Sequence, residues 1–311
     1  MSPLTLLALE RICVSYGVVG AVNNLNLHVN KGEVVCLLGA NGAGKTTTLK
    51  AISGIIRPHV GTITFDGIPL VGLKPERIAS LGIAHLPEGR GIFATLSVME
   101  NLEIGAFGAG IPKKQTPEKI ARVLSVFPQL EPRLSQRAGT MSGGEQQMLG
   151  LARALLSEPR LLLVDELSFG LAPAIVKTLF AHVAQVARNG TGVLLVEQFV
   201  GDALAVASKA YVLEKGMVVV SGSAQDLRSQ GEFVEDFYLG HHSGPQGKET
   251  EAHPVRQSVR LEVPGGLWRN VSRAAAKANT TIDDYVTVAL AGALAREPDA
   301  DTKVRRARRG R

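Results

Sequence analysis

A glycine-rich stretch near the start of the chain restricts the folds available to it more than any other feature. Residues 39–47 read GANGAGKTT, the pattern G-x-x-x-x-G-K-[ST]. An apolar run over 34–38 precedes it, and a helix-compatible run over 47–52 follows. Such glycines let backbone N–H groups surround phosphate oxygens at a helix N-terminus. The alternative, a chance glycine-rich turn, leaves the flanks unexplained, so we predict a phosphate-binding loop between a buried strand and a helix.

Each residue type in this loop has a chemical use. Lys45 can reach the β- and γ-phosphates of a nucleotide, and the Thr46 hydroxyl can ligate Mg²⁺. Tyr16 could stack on adenine or could simply end a strand, and its spacing does not separate the two. The candidate nucleotide-binding residues in this part of the chain are Tyr16, Gly39, Asn41, Gly42, Gly44, Lys45, Thr46 and Thr47.

A second candidate half-site opens a predicted helix that runs through Leu156. Residues 141–145 read MSGGE, and Ser142 with Glu145 forms a capping box, which is a purely structural use. Gly143 and Gly144 in a first helical turn each cost about 1 kcal/mol against alanine. That cost is understandable where the backbone must approach a phosphate closely.

Two carboxylates follow a predicted strand that begins at Arg160 and continues as an apolar run over 161–164. Asp165 suits Mg²⁺ coordination, and Glu166 suits polarising a water for in-line attack on a γ-phosphate. A last predicted strand over 192–198 ends in the same layer. Strands that alternate with helices predict a parallel sheet whose ligand lies at the strand carboxyl ends.

The remaining patterns predict two smaller parts of the fold. Residues 4–15 alternate like an edge strand of a small antiparallel sheet, with further strands over 22–29 and 61–66. Residues 82–88 predict a second buried strand that ends at Pro87-Glu88, and residues 97–137 read mainly helical. The expected fold is therefore an α/β, P-loop NTPase core with a mainly parallel sheet, a small antiparallel β subdomain and a helical subdomain.

Charge and cysteine content bear on location. Residues 1–240 carry 21 Lys/Arg and 20 Asp/Glu, whereas residues 241–311 carry 13 and 8, so the basic character belongs to the tail. Only two cysteines occur, which favours a reducing compartment and no disulfide framework. No apolar run has the length of a membrane span, and the N-terminus has no signal-peptide pattern. We expect a cytoplasmic chain, and these features leave open that it docks on a membrane protein.

Residues 1–240 resemble the ATP-binding subunit of an ABC transporter, and more narrowly the smaller ATPase subunit of bacterial branched-chain amino acid importers. The phosphate loop, the 141–145 signature and the Asp165-Glu166 pair occur in that family's order. The narrower resemblance rests on residues 86–90, 138–149, 170–173 and 196–198.

The resemblance implies an ATPase that uses ATP and Mg²⁺ and works as a head-to-tail pair with a second ATP-binding subunit, a copy or a paralogue. Ser142, Gly143 and Gly144 would complete the partner's site, and Tyr16 would stack on adenine. Glu88 would sense the nucleotide, face Mg²⁺ and lie near the membrane subunits. The implied partners are transmembrane permease subunits on the inner face of the cell membrane and, indirectly, a periplasmic or extracellular solute-binding protein.

Four positions depart from the wider family pattern. Glu88 stands where Gln is usual, and Gln198 stands where His is usual. The Gln198 amide can hydrogen-bond the γ-phosphate but cannot exchange a proton near neutral pH, which leaves Glu166 as the main polarising group. Leu167 and Phe169 replace a usual Pro and a smaller aliphatic residue, in the loop that communicates across the pair.

Two other functions compete with branched-chain amino acid import. A urea or short-amide importer of the same superfamily more often has Gln at position 88. A soluble ABC protein that acts on DNA or ribosomes usually carries tandem cassettes or a long coiled coil, and this chain has one phosphate loop.

The C-terminal residues form a separate problem. Residues 241–255 are polar with Gly and Pro, as in a linker. Residues 256–297 predict a strand and two helices, a β-α-α extension that resembles a ribbon-helix-helix module. Such a module would dimerise the chain or, as the second choice, bind DNA. Residues 298–311 predict a basic tail whose default surroundings are solvent.

Overall fold

The computed structural model describes residues 5–198 and 200–229. The predicted linker over 241–255, the β-α-α extension over 256–297 and the basic tail over 298–311 lie outside the described residues. The described part contains a four-stranded sheet, a six-stranded sheet and eight α-helices. The predicted α/β core with a small antiparallel sheet and a helical part is confirmed.

The smaller sheet gathers the strands predicted near the N-terminus. It comprises β1 (Thr5–Tyr16), β2 (Val19–Asn30), β4 (Val60–Phe65) and β5 (Ile68–Pro69), in the order β2-β1-β4-β5. Leu7 of β1 pairs with Val29 on one side and Phe65 on the other. The prediction of an edge strand over 4–15 is therefore wrong. Alternation within β1 could not reveal its second partner, which comes much later in the chain.

The larger sheet contains the apolar runs. Its order is β10-β9-β3-β8-β7-β6, and β10 alone is antiparallel to its neighbour. The strands are β3 (Val34–Leu38), β6 (Ile83–Leu86), β7 (Leu161–Asp165), β8 (Gly192–Glu197), β9 (Lys209–Glu214) and β10 (Met217–Ser223). β6 ends before Pro87-Glu88, because proline has no N–H for the ladder.

Two strands, β9 and β10, follow the strand that the sequence indicated as the last. They form a hairpin whose turn residues Lys215 and Gly216 have φ values of 47° and 82°. Positive φ at both turn positions matches the twist of a hairpin. The Lys-Gly pair lacks the usual Asn-Gly signal, which is why the hairpin was missed.

The helices connect these strands. They are α1 (Lys45–Ile52), α2 (Pro75–Ser80), α3 (Val98–Gly108), α4 (Thr116–Val126), α5 (Gly143–Leu155), α6 (Pro173–Arg188), α7 (Val200–Val206) and α8 (Ala224–Ser229). Most of these helices cover one face of the larger sheet, whereas the smaller sheet and α1 cover the other face. No helix among residues 5–198 and 200–229 is long and apolar enough to cross a membrane.

Alternate residues of the central strands pack into two different hydrophobic clusters. Cys36 and Leu38 join the cluster of the larger helices, whereas Val35 and Leu37 join the cluster of the smaller sheet and α1. Burial on both faces explains why these strands read as continuous apolar runs. Because β3, β7 and β8 are parallel, their carboxyl ends meet at one edge of the sheet, where a ligand is expected.

Candidate functional site

The predicted phosphate loop connects β3 to α1. Gly42 and Gly44 have φ values of 81° and 106°, and a Cβ on Gly44 would lie 2.4 Å from the carbonyl oxygen of Ala21. Only glycine fits that conformation and that contact. The N-terminus of α1 carries no side-chain cap among the described residues, so its N–H groups are available to an anion.

The β9–β10 hairpin packs against this loop and forms a hydrogen bond with it. The N–H of Gly216 donates to the Ala43 carbonyl at 2.9 Å, and the N–H of Asn23 donates to the Gly216 carbonyl at 2.8 Å. A Cβ on Gly39 would lie 2.5 Å from the Leu213 carbonyl oxygen. Gly39 is therefore required for close packing against β9.

Lys45 is buried beside the catalytic candidate Glu166. Its Nζ lies 3.2 Å from Glu166 Oε1 and 3.2 Å from the carbonyl oxygen of Ala40. Glu166 directly follows β7, has a φ of 47°, and donates its N–H to the Val196 carbonyl at 3.0 Å. The structure thus brings Lys45 and Glu166 together, and a nucleotide phosphate would compete with that carboxylate for the ammonium group.

The metal-binding candidates lie next to this pair. Thr46 Oγ1 donates to Asp165 Oδ1 at 3.2 Å. Burial raises the pKa of Asp165 to about 6; the Thr46 hydrogen bond opposes the rise, and the charges of Glu166 and Glu88 add to it. A divalent cation would relieve this concentration of negative charge, so the oxygen donors fit Mg²⁺.

No group of three or more His, Cys, Asp and Glu side chains in the described part of the chain is arranged to hold a metal by itself. Mg²⁺ usually keeps several water ligands and binds through one or two carboxylates together with substrate phosphates.

A cavity of about 450 Å³ opens over the phosphate loop. Tyr16 stands at its rim with half of its side chain exposed, and its hydroxyl lies 3.4 Å from Thr47 Oγ1. The ring is therefore positioned where a nucleotide base could stack on it. The lining residues are Tyr16, Ala21, Asn41, Gly42, Gly44, Lys45, Thr46, Thr47, Glu88, Glu166 and Phe169.

The signature residues lie apart from this lining. Ser142 caps α5 through a reciprocal pair of hydrogen bonds with Glu145, and the serine is exposed. Gly144 is buried, and a Cβ there would lie 2.3 Å from Cγ2 of Ile175 in α6. Packing within this chain therefore accounts for one of the two glycines that we attributed to phosphate approach.

Gln198 also stands outside the cavity lining, immediately after β8 and partly exposed. Conversely, sequence reasoning missed Ala21 as a lining residue and Ala40 as an acceptor for Lys45. Both act through position or backbone atoms, so no residue pattern identifies them. The sequence marked Phe169 only as a departure from the family pattern. Its large aromatic side chain was the feature that could have indicated a place in the cavity lining.

Comparison with known proteins identifies the family of the chain. The family model described as ABC transporter matches residues 22–168. The chain is 44% identical over 235 residues to the high-affinity branched-chain amino acid transport ATP-binding protein BraG of Pseudomonas aeruginosa, which covers 76% of this chain and all of that protein. It is 35% identical over 211 residues to a probable branched-chain amino acid transport ATP-binding protein, LivF, of Archaeoglobus fulgidus, which covers 68% of this chain and 89% of that one.

A solved structure gives the same result for the fold. The crystal structure of the ADP conformation of an ATP-binding cassette of an ABC transporter superposes with a TM-score of 0.68 at 26% identity, covering 76% of this chain and 99% of that one. The phosphate loop, the buried Lys45–Glu166 pair and these matches together lead to one assignment. The chain belongs to the ABC transporter family as an ATP-binding subunit, and it is an ATPase.

Proposed function

We propose that this ATPase drives the import of branched-chain amino acids through separate membrane subunits. The observation that carries the proposal is the 44% identity over the full length of BraG, a protein named for branched-chain amino acid transport. LivF of Archaeoglobus fulgidus is named for the same transport. The chain would act in the cytoplasm on the inner face of the cell membrane.

In this proposal the residues around the cavity divide the work of hydrolysis. Lys45 and the loop N–H groups would hold the β- and γ-phosphates. Thr46, Asp165 and Glu88 would hold Mg²⁺, which would neutralise phosphate charge. Glu166 polarises the attacking water, because its carboxylate lies beside the ammonium that would hold the γ-phosphate. Gln198 would donate a hydrogen bond to that phosphate.

A second ATP-binding subunit would complete each site. Ser142 and Gly143 lie at the start of α5, away from the lining of this chain's own cavity, and Ser142 is exposed. This placement supports a role toward a nucleotide on a partner subunit, which is a copy or a paralogue. Permease subunits, and indirectly a solute-binding protein, would make up the rest of the importer.

The experiment that tests this function is uptake in sealed vesicles that contain the chain co-purified with its membrane subunits. ATP-dependent uptake of leucine, isoleucine or valine is expected, and Glu166→Gln should abolish it while ATP still binds. Uptake of urea or short amides instead would overturn the branched-chain proposal. ATP hydrolysis by Glu166→Gln at the parental rate would overturn the role of Glu166.

From the sequence of the C-terminal residues we also propose three segments after the ATPase domain over 1–240. They are a linker over 241–255, a ribbon-helix-helix dimerisation module over 256–297 and a basic tail over 298–311. Truncation at His241 should leave ATP binding intact and change the oligomeric state in analytical ultracentrifugation. DNA titration of the full chain at several salt concentrations tests the second choice.

A further inference from the structure

A buried carboxylate next to the site has no role in the mechanism described so far. Glu197 is the last residue of β8 and is 1% exposed. Its carboxylate accepts the Ser168 N–H on Oε1 at 3.0 Å and the Ser168 hydroxyl on Oε2 at 2.6 Å. Ser168 is itself 4% exposed, so both hydrogen bonds are shielded from water.

A carboxylate in this position is costly to the fold. Burial raises the pKa of Glu197 to about 7; the hydrogen bonds from Ser168 and from the backbone of Gln198 oppose the rise, and the charge of Glu166 adds to it. The preceding residues of β8 are all glycine or aliphatic and fully buried. An apolar residue would serve the sheet at lower cost, so the acid is better explained by what it holds.

The hydrogen bonds between Ser168 and Glu197 connect the loop that carries Glu166 to the strand end that carries Gln198. Ser168 is two residues after Glu166, and Glu197 directly precedes Gln198. The same loop is tied to β8 by the 3.0 Å bond from the Glu166 N–H to the Val196 carbonyl. Without the Glu197 carboxylate, the loop would lose both hydrogen bonds that Ser168 donates to this strand. Phe169, the next residue of the loop, lines the cavity.

We propose that Glu197 is a positioning residue for ATP hydrolysis: by holding Ser168, it fixes the loop that carries Glu166 relative to the strand end that carries Gln198. This inference rests on the proposed role of Glu166 in polarising water. Such positioning affects the chemical step more than nucleotide binding, because the phosphate loop is held by Gly216 and Lys45 also contacts the Ala40 carbonyl within that loop. The expected signature is therefore a fall in kcat with little change in KM.

The test is steady-state ATPase kinetics of the full-length chain, alone or co-purified with its membrane subunits. Glu197→Ala should lower kcat by about 10- to 100-fold, since small misplacements of catalytic groups have effects of that size. The KM for ATP should stay within about threefold. Glu197→Gln should recover most of kcat, because its amide oxygen can accept the Ser168 N–H and its NH₂ can donate to the Ser168 hydroxyl.

A chemically similar pair elsewhere provides the control. Glu33 also accepts a backbone N–H, from Asn30 at 2.9 Å, and a serine hydroxyl, from Ser208 at 3.0 Å, before the start of β3 and away from the cavity. Glu33→Ala should leave kcat within about twofold of the parent. Ser168→Ala removes only the hydroxyl bond, so it should lower kcat less than Glu197→Ala does. It also provides a milder variant in case Glu197→Ala folds poorly.

Three outcomes separate the possibilities. Parental kcat in both Glu197→Ala and Ser168→Ala would overturn the inference. Equal losses in Glu197→Gln and Glu197→Ala would also overturn it, since hydrogen-bonded positioning predicts recovery by the amide. ATP hydrolysis by Glu166→Gln at the parental rate would overturn the proposed role of Glu166. Because this is a separate variant, that failure is distinguished from a failure of the inference about Glu197.

Discussion

Gly144→Ala tests whether the signature helix needs glycine for packing within this chain. The added Cβ would lie 2.3 Å from Ile175 Cγ2. Ile175 is β-branched and lies in the first turn of α6, where its χ1 is strongly restricted, so α5 or α6 must shift. Overpacking of this kind costs about 1–3 kcal/mol, and alanine regains about 0.5–1 kcal/mol over glycine in a helix. We expect the free energy of unfolding to fall by about 1–2 kcal/mol.

Urea unfolding of the parent, both single variants and the double variant measures this contact. In an Ile175→Ala background the γ-carbons are gone, so Gly144→Ala should become neutral or stabilising by up to about 1 kcal/mol. The coupling energy between the two sites should then be about 2 kcal/mol. Gly108→Ala, in α3 with nothing within 4 Å of the new Cβ, is the control and should not destabilise. An equal loss from Gly144→Ala in both backgrounds would refute the packing explanation.

Three further predictions concern the site and its surroundings. Tyr16→Ala should weaken binding of a fluorescent ATP analogue at least about fivefold, whereas Tyr16→Phe should stay within about twofold because it keeps the ring; equal weakening would argue against stacking. Gln198→His should add a change in the ATPase rate near pH 6.5 to whatever pH dependence the parent shows. Identical pH profiles of parent and variant would argue against contact between this side chain and the γ-phosphate. Burial, with a smaller effect of Lys50, lowers the pKa of His85 to about 4. In the unfolded chain His85 binds a proton near pH 6.5, whereas in the folded protein it stays neutral until about pH 4. Acidification from pH 7 to pH 4.5 should therefore lower the free energy of unfolding by about 2 kcal/mol through His85. Urea unfolding at both pH values should show a smaller loss in His85→Gln and an unchanged loss in the exposed-site control His59→Gln.

Local patterns were enough to predict the phosphate loop and the strand that ends in Asp165-Glu166. In both cases neighbouring residues determine the structure: glycines set the backbone of the loop, and a continuous apolar run reflects a strand buried on both faces. The capping box at Ser142 was predictable for the same reason, because it depends on residues three apart.

Features that depend on distant partners were not predictable. Whether β1 lies inside its sheet depends on β4, and the need for glycine at position 144 depends on Ile175. The Glu197–Ser168 pair joins residues 29 positions apart. No periodicity in the sequence records which side chains the fold brings into contact.

The support that the β9–β10 hairpin gives the phosphate loop limits how this protein can be recombined with its relatives. The region matched by the family model ends at residue 168, but Gly39 packs against Leu213 and Ala43 accepts a hydrogen bond from Gly216. A chimera joined at residue 168 would pair a phosphate loop from one parent with a supporting hairpin from the other. Segment exchange should therefore carry residues 5–223 as one block, with the crossover placed after β10.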